Sequence, residues 1–309
     1  MKYSDAALKT LVLKETTRMT NARYAKECST ASALNNLLPD DRAALLEKYG
    51  YLLNAIEQDC VDGFICSYDE EFPQIPNEIK ASEKPCLLFY RGNIDLLRNK
   101  SSNIAVIGVL TPSEEIRKRE ESFVKELVNN KFTIVSGLAK GCDSISHLAC
   151  ISNSGKTIAI LPNQIGKIYP KENTRLADEI VASGGLLVTE YYKAPDSKYE
   201  ATGRFIERDR LQAMFSASII LTASYRKGEG DSGSRYAMEA ALKYGVNRYV
   251  MFNKTTDYED PLFGLNKDLI TAYNDVKVLS QSTMDEIIHP KATVNMPEPE
   301  YEQISLDIE

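Results

Sequence analysis

Ser136-Gly-Leu-Ala-Lys-Gly-Cys-Asp-Ser-Ile-Ser-His147 directly follows the apolar, β-branched run 132–135, and together the two segments indicate the fold. That run predicts a short buried strand. Gly137 and Gly141 then permit a tight turn. Asp143 belongs to the residue types that cap helix N-termini, so a helix is predicted to begin near it. A strand, a glycine turn and a helix in this order are typical of a parallel α/β sheet.

The same turn is a candidate anion site. Backbone N–H groups at a helix N-terminus point towards the preceding turn, and phosphate groups bind to such amides. The candidate residues are Ser136, Gly137, Lys140 and Gly141. The alternative is an ordinary βα connection that binds nothing, because such turns recur throughout α/β proteins.

Composition bounds the class of protein. The chain has 309 residues, of which 43% are apolar and 26% charged, as in ordinary globular proteins with one large and one small domain. It contains no membrane-length apolar run. The six cysteines form no C-x-x-C pair and accompany two histidines, which disfavours a metal site and favours a cytoplasmic protein. The net charge is −7, so any nucleic-acid binding requires a local basic patch.

The chain divides into three parts. Residues 1–60 show helical periodicity and predict a small helical domain. Residues 61–288 begin with short apolar strands at 64–68 and 86–90 and continue with regular strand–helix alternation. Residues 289–309 contain prolines and scattered acids and predict a disordered tail.

The alternation predicts an α/β, Rossmann-like, doubly wound and mainly parallel sheet, with ligands at the carboxyl ends of its strands. The main strands are predicted at 104–109, 132–136, 157–161, 186–189, 218–222 and 248–252. The helices between them are predicted at 113–130, 143–153, 172–183, 204–215 and 234–244.

Two loops at predicted strand ends bear on the ligand. Gly108 is a single glycine after the first main strand. The G-x-G-x-x-G pattern of dinucleotide-binding proteins is absent there, which disfavours NAD binding. The loop after the strand 157–161 carries Lys171 beside a Tyr-Pro turn, near the start of the next helix. An amine there could reach a phosphate, and the alternative is a solvated lysine.

Cations and a second glycine turn follow further along the chain. Arg204, Arg208 and Arg210 are candidate phosphate ligands, although Glu207 and Asp209 could neutralise them in a structural ion-pair network. A second anion cradle is predicted where glycine and serine amides lead into a helix. Its residues are Ser232, Gly233 and Ser234.

The order of these motifs resembles the DNA-processing protein A (DprA, or Smf) family, over residues 64–288. The resemblance rests on the stretch 136–147, Ile168-Tyr-Pro-Lys-Glu-Asn173, Arg208-Asp-Arg210, Ser232-Gly-Ser234, Phe72-Pro73 and Leu88-Phe-Tyr-Arg-Gly-Asn93. It implies a dimeric protein that binds single-stranded DNA at the strand ends without cutting it and passes it to the RecA recombinase, chiefly in natural transformation. By position, Lys171, Arg208 and Arg210 would contact the DNA backbone.

The sequence also departs from the family pattern. Where the family usually has Gly-Ser-Arg after the first main strand, this chain reads Gly108-Val-Leu110, so one cation is missing. Arg-Asn-Arg has become Arg208-Asp-Arg210, which adds a carboxylate. No winged-helix domain follows in this sequence.

Two other classes of function stay open. One is a nucleotide sensor or a nucleotide-processing enzyme, in which Glu239 would be the catalytic acid. The alternative interpretation of Glu239 is a solvated residue on the surface of a helix. The other is a defence or mobile-element homologue that has kept the scaffold. We expect a non-enzymatic protein without cofactor or metal, because no nucleophile–base pair, metal cluster or Walker loop is present, and His147 is expected to be bonded into the structure.

Overall fold

A sheet with seven adjacent parallel strands forms the centre of the computed structural model, which describes residues 1–230 and 233–290. The order is β1-β2-β6-β5-β4-β3-β7-β8-β9, and β2 runs antiparallel to β1 and β6. The strands are β1 (Gly63–Cys66), β2 (Leu87–Gly92), β3 (Asn103–Ile107), β4 (Thr133–Ser136), β5 (Thr157–Ile160), β6 (Leu186–Thr189), β7 (Ser218–Leu221), β8 (Asn247–Val250) and β9 (Val276–Val278).

Helices cover the sheet, which is why the central strands are mainly apolar and every residue in them is buried. They are α1 (Asp5–Thr17), α2 (Asn21–Glu27), α3 (Ala31–Leu37), α4 (Arg42–Gln58), α5 (Glu114–Asn129), α6 (Cys142–Ser152), α7 (Thr174–Ala182), α8 (Lys198–Met214), α9 (Ser234–Lys243), α10 (Gly264–Ala272) and α11 (Gln281–Ile288). In one layer α6 packs between α5 and α7, and in another α8 packs against α9.

The strand order contains a reversal that positions the site. From β3 the chain adds β4, β5 and β6 on one side, and it then returns to place β7 on the other side of β3. In open α/β sheets a crevice forms at such a reversal, outside the carboxyl ends of the strands. Here the crevice lies between the ends of β3 and β7.

The N-terminal helices share an apolar core with one end of the sheet. α1 contacts β1 and β2, and Leu8 and Leu11 belong to the same buried cluster as Phe64 and Phe89. The Asp41 carboxylate accepts a hydrogen bond from the Ala44 amide, 2.9 Å away, and so caps α4.

The structure confirms the predicted fold class, with differences at some elements. α8 begins at Lys198 rather than at residue 204, because Ser197 caps it and Gly203 is tolerated inside the helix. The edge strand β9 was not predicted. None of the helices in the described ranges is long and apolar enough to cross a membrane.

Candidate nucleic-acid interface

The glycine turn between β4 and α6 is held against the loop that follows β3. Gly141 is the N-cap of α6 and has a φ of +71°, and a Cβ there would lie 2.3 Å from the Val109 carbonyl oxygen. The Cys142 amide donates to that carbonyl across 3.1 Å. Glycine is therefore required by both its conformation and its close contact.

The prediction that Asp143 caps α6 is wrong, because the helix begins one residue before it. The Asp143 carboxylate instead accepts hydrogen bonds from the amides of Gly137 and Ala139, each 3.1 Å away. Two amides of the proposed anion turn, one of them that of the candidate Gly137, are thus bonded within the protein. The Ser136 hydroxyl is also buried, and it donates to the Val106 carbonyl across 2.7 Å.

Arg208 lies beneath this turn. Its Nη1 donates to the Ile160 carbonyl across 3.0 Å, and its Nε lies 3.0 Å from Oδ1 of Asp209. Burial raises the pKa of Asp209 to about 7 and raises that of Asp143, while the positive charge of Arg208 opposes both shifts. A cavity of about 30 Å³ adjoins these three side chains, which is room for about one water molecule.

Arg204 and Arg210 line a different space, a cleft of about 600 Å³ between α8 and the turn that joins α1 to α2. Arg204 is bonded to Glu200 across 2.6 Å and lies over the ring of Tyr191. Arg210 is paired with Glu190 across 2.8 Å. The guanidinium groups of α8 are therefore engaged in structural contacts. Of the two carboxylates that the ion-pair alternative named, Asp209 lies against Arg208, whereas Arg204 and Arg210 pair with Glu200 and Glu190 instead of Glu207.

Lys171 and Lys140 are the exposed cations among the candidate residues. Lys140 is paired with Glu172 across 2.8 Å, which raises its pKa. Lys171 stands on a single 3-10 turn and has no ion pair within residues 1–230 and 233–290. The side chain of Asn173 donates to the carbonyls of Leu138 and Ala139, across 2.8 and 3.1 Å, and fixes this turn beside the β4–α6 turn.

The start of α9 lies beside the loop that follows β3, at the carboxyl edge of the sheet. Gly233 is its N-cap with a φ of +87°, and the Ser234 hydroxyl donates to the Gly108 carbonyl across 3.4 Å. Ser232 lies outside the described residues, as do residues 291–309 of the predicted tail. The ends of β3 and β4 and the start of α9 thus meet around the crevice. Leu110, at the position of the missing arginine, is 48% exposed.

His147 and Glu239, the two other residues that the sequence singled out, lie in different environments. His147 is buried with Nδ1 2.6 Å from the Thr157 hydroxyl, and burial, followed by the charge of Arg208, lowers its pKa to about 3. Glu239 is exposed on α9. In the described part of the chain, no three His, Cys, Asp or Glu side chains are placed to hold a metal ion.

Sequence reasoning missed two side chains at this edge. Asn173 was read as part of a motif, with no role in joining the turns. Phe205 was passed over, although it contacts Tyr169 with a ring-centroid distance of 5.7 Å. The sequence signal that could have drawn attention to Phe205 was its position directly after Arg204 on a predicted helix.

The family model of DNA recombination-mediator protein A matches residues 63–273. The chain belongs to this family. It is 35% identical over 177 residues to the DNA processing protein DprA of Streptococcus pneumoniae and 30% identical over 178 residues to the protein Smf of Synechocystis. These alignments cover 57% of this chain and 58% and 43% of the two relatives. The chain thus spans about half the length of the curated relatives it matches.

Two solved structures have the same fold. DprA from Streptococcus pneumoniae superposes with a TM-score of 0.63 at 27% identity, covering 91% of both chains. DNA processing protein A from Helicobacter pylori, a structure described for its single-stranded DNA binding mode, superposes with a TM-score of 0.57 at 24% identity. It covers 70% of this chain and 94% of that one.

Proposed function

We propose that this protein is a DNA recombination mediator that binds single-stranded DNA at the carboxyl edge of its parallel sheet and leaves it chemically unchanged. The observation that carries the proposal is Lys171, an exposed cation without an ion pair in the described ranges, on a turn that Asn173 fixes. Family membership supports it. So does the single-stranded DNA binding described for the Helicobacter pylori protein.

The net charge of the chain makes a local cation such as Lys171 necessary for DNA binding. The chain carries a net charge of −7, so its overall field repels DNA and affinity has to come from local cations. We propose that Lys171 contacts a phosphate and that Lys140 contacts another after it leaves Glu172. The main role of the three arginines on α8 is then structural: they stabilise the carboxyl edge of the sheet. They are Arg204, Arg208 and Arg210.

Backbone groups complete the proposed site. We propose that the turn 136–141 and Gly108 shape one side of the groove, and that Gly233 and Ser234 shape the other. The amides of Gly137 and Ala139 and the Ser136 hydroxyl are bonded within the protein, so this turn shapes the groove rather than contacting DNA through those groups. A groove shaped by main-chain groups carries little sequence information.

The biological partners follow from the proposed function. We propose that the bound strand is handed to a RecA-type recombinase and that the protein acts as a homodimer in the cytoplasm. We propose natural transformation or DNA uptake as the setting, and the alternative is a homologue that serves defence or a mobile element. At the crevice itself the nucleotide-enzyme alternative is disfavoured, because the cavity of about 30 Å³ there is far below the roughly 300 Å³ of small-molecule sites.

The test is binding of fluorescent single-stranded and duplex oligonucleotides by the intact protein, measured by anisotropy at several salt concentrations. We expect tighter binding of single strands, a negative dependence on salt, and intact DNA after incubation with magnesium. Equal affinity for duplex, or affinity that is independent of salt, would contradict the proposal.

A further inference from the structure

An exposed aromatic ring stands beside the proposed phosphate contact. Tyr169 is 61% exposed, two residues before Lys171. Its ring meets that of Phe205 on α8 at an interplanar angle of 76°, with centroids 5.7 Å apart. This edge-to-face geometry is a favourable aromatic contact, and it holds in place a ring that water still reaches.

Two loops place cations near this ring. Lys171 follows on the same turn. Lys140 approaches from the β4–α6 turn, and Tyr169 adds to the increase in its pKa that Glu172 chiefly causes. The Asn173 hydrogen bond to Leu138 joins the two loops, so the ring and the amines are parts of one surface.

This combination matches how proteins bind single strands without sequence preference. They pair backbone-binding cations with aromatic rings on which bases stack, and every base offers a face for stacking. Tyr199 provides the contrast. It is 90% exposed on the first turn of α8, and no ring contact of Tyr199 occurs within the described ranges.

We propose that Tyr169 is a base-stacking platform, supported by Phe205, for the nucleotide whose phosphate Lys171 holds. The inference rests on the proposed function and adds a subsite to it. Stacking is an apolar contact that releases no counterions, so Tyr169 contributes to affinity without contributing to its salt dependence.

The experiment compares a single-stranded oligonucleotide with one of the same length that has abasic positions and hence the same phosphates. We expect wild-type protein to bind the abasic strand about tenfold more weakly. Tyr169→Ala should lose most of this preference and keep the wild-type salt slope. Tyr169→Phe should retain the preference, and Tyr199→Ala, the matched control, should behave as wild type.

The preference is a ratio within one protein sample, so partial misfolding of Tyr169→Ala does not change it. A Tyr169→Ala protein that still prefers the intact strand as wild type does would overturn the stacking assignment and leave the proposed function standing. A wild-type protein that binds neither strand would overturn both.

Discussion

The guanidinium of Arg208 occupies the space that a side chain on residue 137 would need. A Cβ on Gly137 would lie 1.5 Å from Nη1 of Arg208, which donates to the Ile160 carbonyl. Arg208 therefore joins α8 to the ends of β4 and β5. It is also the positive charge that faces the buried Asp143 and Asp209.

Arg208→Ala is expected to destabilise the fold. Removing one partner from a buried ionic cluster leaves the other charges uncompensated, at a cost of about 3–5 kcal/mol in the free energy of unfolding. Gly137→Ala should also destabilise, because it displaces the arginine. Urea denaturation at neutral pH measures both effects.

Gly203→Ala is the control for that experiment. Gly203 also lies near Arg208 in sequence, but a Cβ there would meet nothing within 4 Å. Inside a helix this change is expected to raise stability by up to about 1 kcal/mol. An Arg208→Ala protein as stable as wild type would show that the arginine has no structural role.

Glu120 on α5 predicts a pH dependence of stability. Its carboxyl group is buried, accepts a hydrogen bond from the Ser146 hydroxyl, and has its pKa raised to about 8 by burial. The unfolded chain releases this proton near pH 4.5, whereas the folded protein retains it up to about pH 8. The free energy of unfolding should therefore fall across that window, by up to about 1.4 kcal/mol per pH unit.

Glu120→Gln should remove this decline. The buried His147 has a lowered pKa and gives the opposite trend at acidic pH, since its contribution to stability grows as the pH rises from about 3 to 6.5. The difference between wild-type and variant proteins isolates Glu120. Parallel pH profiles in urea denaturation would contradict the prediction.

Leu110→Arg should strengthen single-stranded DNA binding. Leu110 is nearly half exposed at the end of β3, so an arginine there adds a cation at the edge with little effect on folding. We expect the salt slope to steepen by about 0.7. Leu242→Arg, a similarly exposed position at the far end of α9, should leave DNA affinity almost unchanged. Equal effects of both variants would point to net charge alone.

Apolar runs were sufficient to predict the sheet. β6 was predicted with its observed bounds, and the other strands of the parallel set except β9 were placed to within about two residues, because continuous burial leaves a plain sequence signal. β9 has three residues, one of them the exposed Lys277, so it offers no such run. Gly203 obscured the first turns of α8, which are largely exposed and begin at the Ser197 cap.

The contacts of the site residues could not be predicted in full, because their partners are remote in sequence. Asp143 was expected to cap its own helix, and local sequence cannot tell that role from bonding to the loop before it. Arg210 is paired with Glu190, twenty residues earlier, so its burial could not be inferred from α8. The position of Lys171 was predicted from its Tyr-Pro turn, but the Asn173 hydrogen bond that fixes it needed the fold.

The central claim is that Lys171 holds a phosphate of a single DNA strand. The most direct measurement is the slope of log affinity against log salt for wild type, Lys171→Ala and Lys125→Ala, the last an exposed lysine on α5. We expect Lys171→Ala to bind more weakly with a slope reduced by about 0.7, and Lys125→Ala to match wild type. A Lys171→Ala protein with the wild-type slope and affinity would contradict the claim.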